Sequence, residues 1–393
     1  PARDHRLIAT GGGAGSLKPD ATVSTVTAAI LLCLTAATAD AAISMRGVWI
    51  NHYAIRPQVR PRTLEHVVQA GFNTVFLRAP TIENRHGRNV GASDPADFIA
   101  FLKLANQRGL PVHGWITNKM RSGKPQADFT DPKEQRAQAD WASDLLTRYP
   151  RLSGVHLDYI RYSKWEKPDA ERIAAVTATV ADIRRTLRQH HRGAFLTAAV
   201  FPAHYSYLGG RWGPNKKAQW EGDVPAWYRS WFVNTADNFY IHQPTTDAAA
   251  KRFPEHNPVH LYGPSFFHYQ QDPVAWLRAD LVDGVMPMQY AADDWIWQAE
   301  VNAWKQIAPR HVQRVYPGLG WLEEKGQPRW RRDADALLRH VRFAEKHRLR
   351  GVCLFTLGVD GVDDGPLVRA LSDDGGPFAT GLRSPLRRQP TPP

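Results

Sequence analysis

Beyond Ser44, short apolar runs alternate with longer stretches in which apolar residues recur every three or four positions. The runs are Arg46 to His52, Asn73 to Pro80, Pro111 to Asn118, Gly154 to Tyr162, Phe195 to Pro202, Gly284 to Tyr290, Arg314 to Trp321 and Gly351 to Gly358. Most do not alternate polar with apolar, the pattern of parallel strands covered on both faces. Eight strand–helix units predict an α/β chain folded as a (β/α)8 TIM barrel over residues 42–371. Helix boundaries are legible between the runs. Asp131-Pro132-Lys133-Glu134 reads as an N-cap, a first-turn proline and an acid three residues on, with the helix running from Gln135 to Tyr149. Gly71 and Gly109 stop the helices before the second and third strands. Pro168 to His190 carries Ile173, Val176, Val180, Ile183 and Leu187 on one face, and Asp333 to Arg348 reads as the last long helix.

One connection breaks the rhythm. Roughly eighty residues separate the fifth and sixth strands, where a βα loop normally has a few. This insertion, about 204–270, and the helix after it hold Trp212, Trp220, Trp227, Trp231 and Trp276. Indoles stack on sugar rings and also anchor small cores, so a sugar wall and a packed subdomain are both expected of this region. The segment 372–393, rich in Gly, Pro and Arg, is expected to be disordered.

The 393 residues are 43 % hydrophobic and 22 % charged, ordinary for a globular chain of one large domain. A net charge of +12 suits anionic surroundings such as cell-wall polymers, acidic polysaccharide or nucleic acid, and solubility alone accounts for it equally well. Residues 1–41 read as a signal peptide with an upstream segment. Ala28 to Leu34 is apolar but too short to span a bilayer, and Ala39-Asp40-Ala41 offers small residues for cleavage. A secreted or periplasmic protein without stable membrane insertion is expected. Cleavage leaves Cys353 alone, in an apolar run, as a buried inert thiol.

Polar residues collect where the strands end. They are Asn51 and His52 after the first strand, Arg78 after the second and Asn118 after the third. The fourth contributes His156, Asp158, Arg161 and Tyr162, the sixth Gln289 and Tyr290 with Asp293 and Asp294, and the seventh Trp321, Glu323 and Glu324. In a barrel these ends share one mouth, where catalytic groups sit. Two carboxyl groups facing each other across a glycosidic bond can cleave it. Asp158 is the first candidate, as general acid/base. Glu323 after the seventh strand is the second, with Asp293 as its competitor, and a substrate acetamido group oriented by Tyr290 is a third option. Arg78 would hold a nearby carboxylate ionised, and Arg161 would do the same or bind an anionic sugar. Asn118 and Gln289 suit contacts to hydroxyl or amide groups, and Tyr162 suits a sugar platform or the core. Asn51, His156 and Trp321 complete the expected lining. Asp294 and Glu324 read as solvated loop acids.

Arg46-Gly47-Val48-Trp49-Ile50, the segment Gly154 to Tyr162 and Val285-Met286-Pro287-Met288-Gln289-Tyr290 resemble motifs of the glycosyl hydrolase-like 10 family of bacterial proteins. The resemblance covers Arg46 to about Leu371 and implies a barrel, export and action on a polysaccharide or glycan. It maps Asp158 onto the fourth-strand acid. The Met288-Gln289-Tyr290 strand end is also similar to that of chitinase-type barrels, which keeps N-acetylated substrates in view.

Other signals are weak. Gly11 to Ser16 lacks the strand and the Lys-Ser/Thr ending of a phosphate loop. Pro258 separates His256 from His260, and no cysteine set completes a zinc site, so no metal or other cofactor is expected. No nucleic-acid motif accompanies the positive charge. A non-catalytic carbohydrate-binding barrel is the main alternative to a hydrolase, and a metal-dependent deacetylase is the third.

Overall fold

The computed structural model describes residues 43–82, 92–118, 127–162, 169–203, 232–235, 238–241, 266, 269–292, 294–323, 331–373 and 376–378. Strand and helix alternate along them. The order is β1 (Met45–Ile50), α1 (Arg60–Gln69), β2 (Thr74–Arg78), α2 (Pro95–Gln107), β3 (Val112–Thr117), α3 (Pro132–Arg148), β4 (Gly154–Asp158), α4 (Ala170–His190) and β5 (Phe195–Val200). After the short strands β6 (Phe232–Thr235) and β7 (Asn238–Ile241) come α5 (Pro273–Arg278), β8 (Gly284–Pro287), α6 (Asp294–Ile307), β9 (Gly318–Gly320), α7 (Ala334–Lys346), β10 (Gly351–Leu357) and α8 (Gly365–Ser372).

Eight strands form one parallel sheet in the order β8-β5-β4-β3-β2-β1-β10-β9. A bridge between Val285 of β8 and Val315, just ahead of β9, brings the two edges together, and the Tyr316 N–H donates to the Val285 carbonyl at 2.9 Å. The predicted (β/α)8 barrel is therefore present and nearly closed. The seventh predicted strand is shorter than expected. A 3₁₀ turn occupies Val312–Arg314, and Pro317, which has no N–H to give a ladder, precedes the three residues of β9.

Side chains of alternate strand residues go to two different cores. One set faces the helices and includes Val48, Ile50, Val75, Leu77, Val155, Leu157, Val352 and Leu354. The other fills the barrel: Trp49, Phe76, Trp115, Met286, Tyr316 and Cys353. Both faces are apolar, which is why the strands read as unbroken runs. The Cys353 thiol is free and fully buried, and burial raises its pKa well above the ordinary value.

Aspartates begin most of the helices. The side chains of Asp94, Asp131, Asp169, Asp272 and Asp333 accept from backbone N–H groups in the first turns of α2, α3, α4, α5 and α7. Each such cap contributes about 1 kcal/mol, and these five carboxylates have structural work away from any chemistry. Gly71 and Gly109 end α1 and α2 with φ of +77° and +72°, a left-handed conformation that suits glycine.

Of the insertion, the antiparallel pair β6–β7 is described, with Phe232 opposite Ile241. Trp212, Trp220, Trp227 and Trp231 lie outside the described residues, as do His256 and His260 and residues 1–41, where a signal peptide was expected. Trp276 belongs to α5, is fully buried and donates its indole N–H to Thr177 at 3.0 Å, so it is core. Phe378 departs from the disorder expected of 372–393. It is fully buried, packs edge-on against Phe72 and lies under the Arg46 guanidinium. A segment's average composition does not register one aromatic anchor; residues 379–393 lie outside the described residues.

Candidate active site at the barrel mouth

Asp158 is the last residue of β4, and the same end of the sheet carries Arg78, Thr117 and Val200 as the last residues of β2, β3 and β5. Its side chain is 10 % exposed, yet every partner it has is a donor. Oδ2 accepts from the Trp115 indole N–H at 3.1 Å and faces Arg78 Nη1 at 3.9 Å. Oδ1 accepts from the Tyr159 backbone N–H at 2.7 Å and from Arg161 Nη1 at 3.3 Å. Tyr159 has φ of +55°, an uncommon value for a residue with a side chain. That left-handed step turns its N–H back onto the carboxylate. Backbone strain of this kind concentrates at functional sites.

Both arginines are mounted on aromatic rings. The Arg78 guanidinium lies 4.5 Å from the Trp115 ring centre, and Arg161 lies 4.0 Å from Tyr159 and 4.8 Å from Phe201. Phe201 is stacked in turn on Tyr269 with centroids 3.5 Å apart. Burial lowers the pKa of Arg78, and the Asp158 charge opposes that shift.

Tyr290 approaches from β8. Its ring stacks on Phe355 at 5.2 Å and meets Trp49 edge-on at 6.2 Å. Gly320 makes room for it, since a Cβ there would sit 2.9 Å from the Tyr290 Cβ. Burial first, and then the Asp158 charge, push the Tyr290 hydroxyl well above its usual pKa, so it stays protonated.

His156 is fully buried, two residues down the same strand face, and is not a lining residue. The Trp49 indole N–H donates to its Nε2 at 2.9 Å, and its Nδ1 faces the Thr197 hydroxyl at 2.9 Å. An indole only donates, so Nε2 accepts and Nδ1 carries the proton. Burial holds the pKa down at about 3. The ring is thus a neutral strut beneath the carboxylate. Strand periodicity puts residues 156 and 158 on one face, but depth decides that only the second meets the mouth.

The remaining expected residues scatter. Asn118 is fully buried. Its backbone N–H donates to the Asp158 carbonyl at 2.7 Å, while its side-chain amide donates to Gln138 at 2.7 Å. It therefore braces the β3–β4 edge. Gln289 is 1 % exposed and donates to the Trp297 carbonyl at 3.3 Å. Asn51 donates to the Tyr53 hydroxyl at 3.0 Å at the start of a 3₁₀ turn. Tyr162 donates its hydroxyl to Asp128 at 3.3 Å, and its pKa is pushed up to about 12 by burial and then by Asp128. Trp321 is 4 % exposed, and its indole N–H donates to Asp364 at 2.9 Å, which makes it a core residue between two loops and not an open platform.

The acids at the other strand ends differ from Asp158. Glu323 has a side chain 62 % exposed and pairs with Arg332 at 3.1 Å. Asp294 pairs with Arg339 at 2.7 Å and His340 at 3.1 Å. Asp293 and Glu324 lie outside the described residues. A cavity of about 320 Å³ opens between α1 and the loop after β10, lined by Arg62, His66, Asp360 and Asp364 among others. Its acids are already engaged: Asp364 accepts from Trp321 and from the Gly358 N–H, and Asp363 pairs with Arg62. Among the described residues no group of three His, Cys, Asp or Glu is arranged to hold a metal ion, and no helix is long and apolar enough to cross a membrane.

Sequence reading missed Trp115, Tyr159, Phe201 and Phe355 as site residues. Trp115 was within reach, since counting back in twos from the polar end of β3 puts it on the inner face. Phe201 and Tyr269 are 68 positions apart, and only the fold pairs them.

No family model matches the chain, and no curated protein does. Solved structures do. The C-terminal domain of a putative chitinase from Desulfitobacterium hafniense aligns with TM-score 0.54 at 10 % identity, covering 87 % of this chain and 100 % of that one. The glycoside hydrolase domain of PgaB (BpsB) from Bordetella bronchiseptica aligns with TM-score 0.53 at 12 % identity, covering 84 % and 98 %. The spore cortex-lytic enzyme SleL of Bacillus cereus gives TM-score 0.52 at 12 % identity, covering 83 % and 74 %. At these identities the likeness establishes a shared barrel fold.

Proposed function

We propose that the protein is an exported glycoside hydrolase acting on a polysaccharide or glycan, with Asp158 at its catalytic centre. The observation that carries the proposal is the setting of this carboxylate, last on β4 and held by Trp115, the Tyr159 N–H, Arg78 and Arg161. The barrel shared with a putative chitinase domain, with the PgaB glycoside hydrolase domain and with SleL supports the reaction class, as does the resemblance to the glycosyl hydrolase-like 10 family.

The donors around Asp158 refine its role. A proton on this carboxyl group would find no acceptor among those partners. Asp158 therefore suits the anionic half of a carboxylate pair, attacking the anomeric carbon, activating water or stabilising the positive charge that develops there. The proton for the leaving oxygen then comes from another group. Glu323 and Asp293 are the candidates; a substrate acetamido group steadied by the protonated Tyr290 hydroxyl would replace only the attacking nucleophile, and the leaving oxygen would still take its proton from one of these acids. Trp115 and the Tyr159 N–H fix the carboxylate so that it need not reorganise as charge develops. Tyr290 and Phe355, both only partly buried, offer ring faces and edges to a sugar.

Asp158→Asn tests the reading on a glycan panel by release of reducing ends. The variant is expected to fold and to lose on the order of 10²- to 10⁴-fold in turnover. Retained turnover would end the assignment. A non-catalytic carbohydrate-binding barrel is the second reading, favoured by the exposure of Glu323 and its pairing with Arg332. It predicts saturable glycan binding with no cleavage by the wild type.

A further inference from the structure

The Asp158 site contains more guanidinium than Asp158 needs. Arg161 is 5 % exposed and gives the carboxylate a single contact, from Nη1 at 3.3 Å. Its Nε and Nη2 have no partner among the described residues, and together they form the planar fork that a carboxylate accepts in bidentate fashion. The rings of Tyr159 and Phe201, at 4.0 and 4.8 Å, cover the guanidinium faces, so its remaining donors can act only in plane. Tyr269 stacked behind Phe201 stiffens that mount. Asp158, meanwhile, already accepts from an indole and a backbone N–H and faces a second arginine at 3.9 Å. The strut beneath adds no charge, because His156 is neutral above about pH 3. Among the described residues no acceptor meets that edge, which leaves it available to an anion from a ligand.

We propose that Arg161 is a specificity residue that binds a carboxylate on the substrate, and that the glycan is therefore an acidic one carrying uronate-type groups. This rests on the reading of the barrel mouth as the glycan site. The net charge of +12 acts in the same direction by drawing polyanions to the surface. The carboxylate would take the Nε/Nη2 edge while Nη1 stays on Asp158, which keeps the two anions on opposite sides of one cation.

The test alters the substrate as well as the protein. Binding of the full chain is measured to uronate polysaccharides, to the same polymers with their carboxyl groups reduced to alcohols, and to a neutral and an amino-sugar polymer. The wild type is expected to prefer the acidic form about 10- to 100-fold over its reduced counterpart, the range for a charge-assisted pair. Arg161→Gln should abolish that ratio and Arg161→Lys should restore part of it. Equal binding of acidic and reduced polymers by the wild type, preference for the amino-sugar polymer, or no binding to any uronate polymer would each overturn the proposal. None of these comparisons depends on a variant that folds. The hydrolase reading is judged separately, by whether Asp158→Asn stops cleavage of whichever polymer the wild type cuts.

Discussion

Asp158 and Glu323 stand at corresponding places, each just after or at the end of a barrel strand, and the protein treats them in opposite ways. Asp158 closes a five-residue strand hydrogen-bonded on both sides, and beneath it His156 and Trp49 fill the barrel. Glu323 follows a three-residue strand of Gly-Leu-Gly, and the bridge to β8 lies ahead of that strand, at Val315. One carboxylate is 10 % exposed among donors, and the other is 62 % exposed beside a single arginine. A strand end therefore holds a fixed, donor-ringed carboxylate when the barrel below it is filled with rigid side chains that keep the donors in place. Glycine at β9 instead admits Tyr290, so the room on that side is used by a ring from the neighbouring strand.

The comparison breaks first on activity. Asp158→Asn should cost on the order of 10²- to 10⁴-fold in turnover; Glu323→Gln costs as much if Glu323 is the proton donor and far less if it is only the exposed partner of Arg332. Rates of reducing-end release on one polymer decide it.

The sealed histidines should also respond to acid. Burial lowers the pKa of His113 and His156 to about 3 and of His340 to about 4, against 6.5 when unfolded. Between those values the unfolded chain takes up protons that the folded one refuses, so stability falls as pH drops from 6.5 towards 3 to 4. Above pH 6.5 these groups are neutral in both states and contribute no slope. The loss should reach a few kcal/mol. Thermal unfolding from pH 7 to pH 4 measures it, and a flat melting temperature would contradict the sealed histidines.

A finer probe is Trp115→Phe, which keeps a ring under Arg78 and deletes the 3.1 Å bond to Asp158. A hydrogen bond to a charged group is worth about 1.5–3 kcal/mol, so roughly a tenfold loss or more in turnover is expected, with folding retained. Unchanged turnover would mean that the indole only packs. The smallest effect belongs to the open side. Breaking the exposed Glu323–Arg332 pair with Arg332→Gln should shift stability by less than about 1 kcal/mol, within what a melt or denaturant titration resolves.

Much of this was legible in the chain. Strand count and parallel pairing follow from apolar runs separated by helical periods, because a strand covered on both faces leaves no polar phase. Asp158 was legible because a charge at the end of such a run stands out. His156 shows the limit, since its place in the strand says which face it takes and not how deep it lies. Asn118, Gln289 and Trp321 were plausible lining by position, and each turned out to brace a neighbouring element.

The sequence by itself determined the architecture and one acid, because both rest on local periods and on a polar residue out of phase with its neighbours. Tertiary structure alone decided what surrounds that acid. Trp115 arrives from one strand, Arg78 from another, and Arg161 is mounted between rings 42 residues apart along the chain. Distance along a chain carries no record of such meetings; they exist only once the parallel strands have brought their ends into one ring.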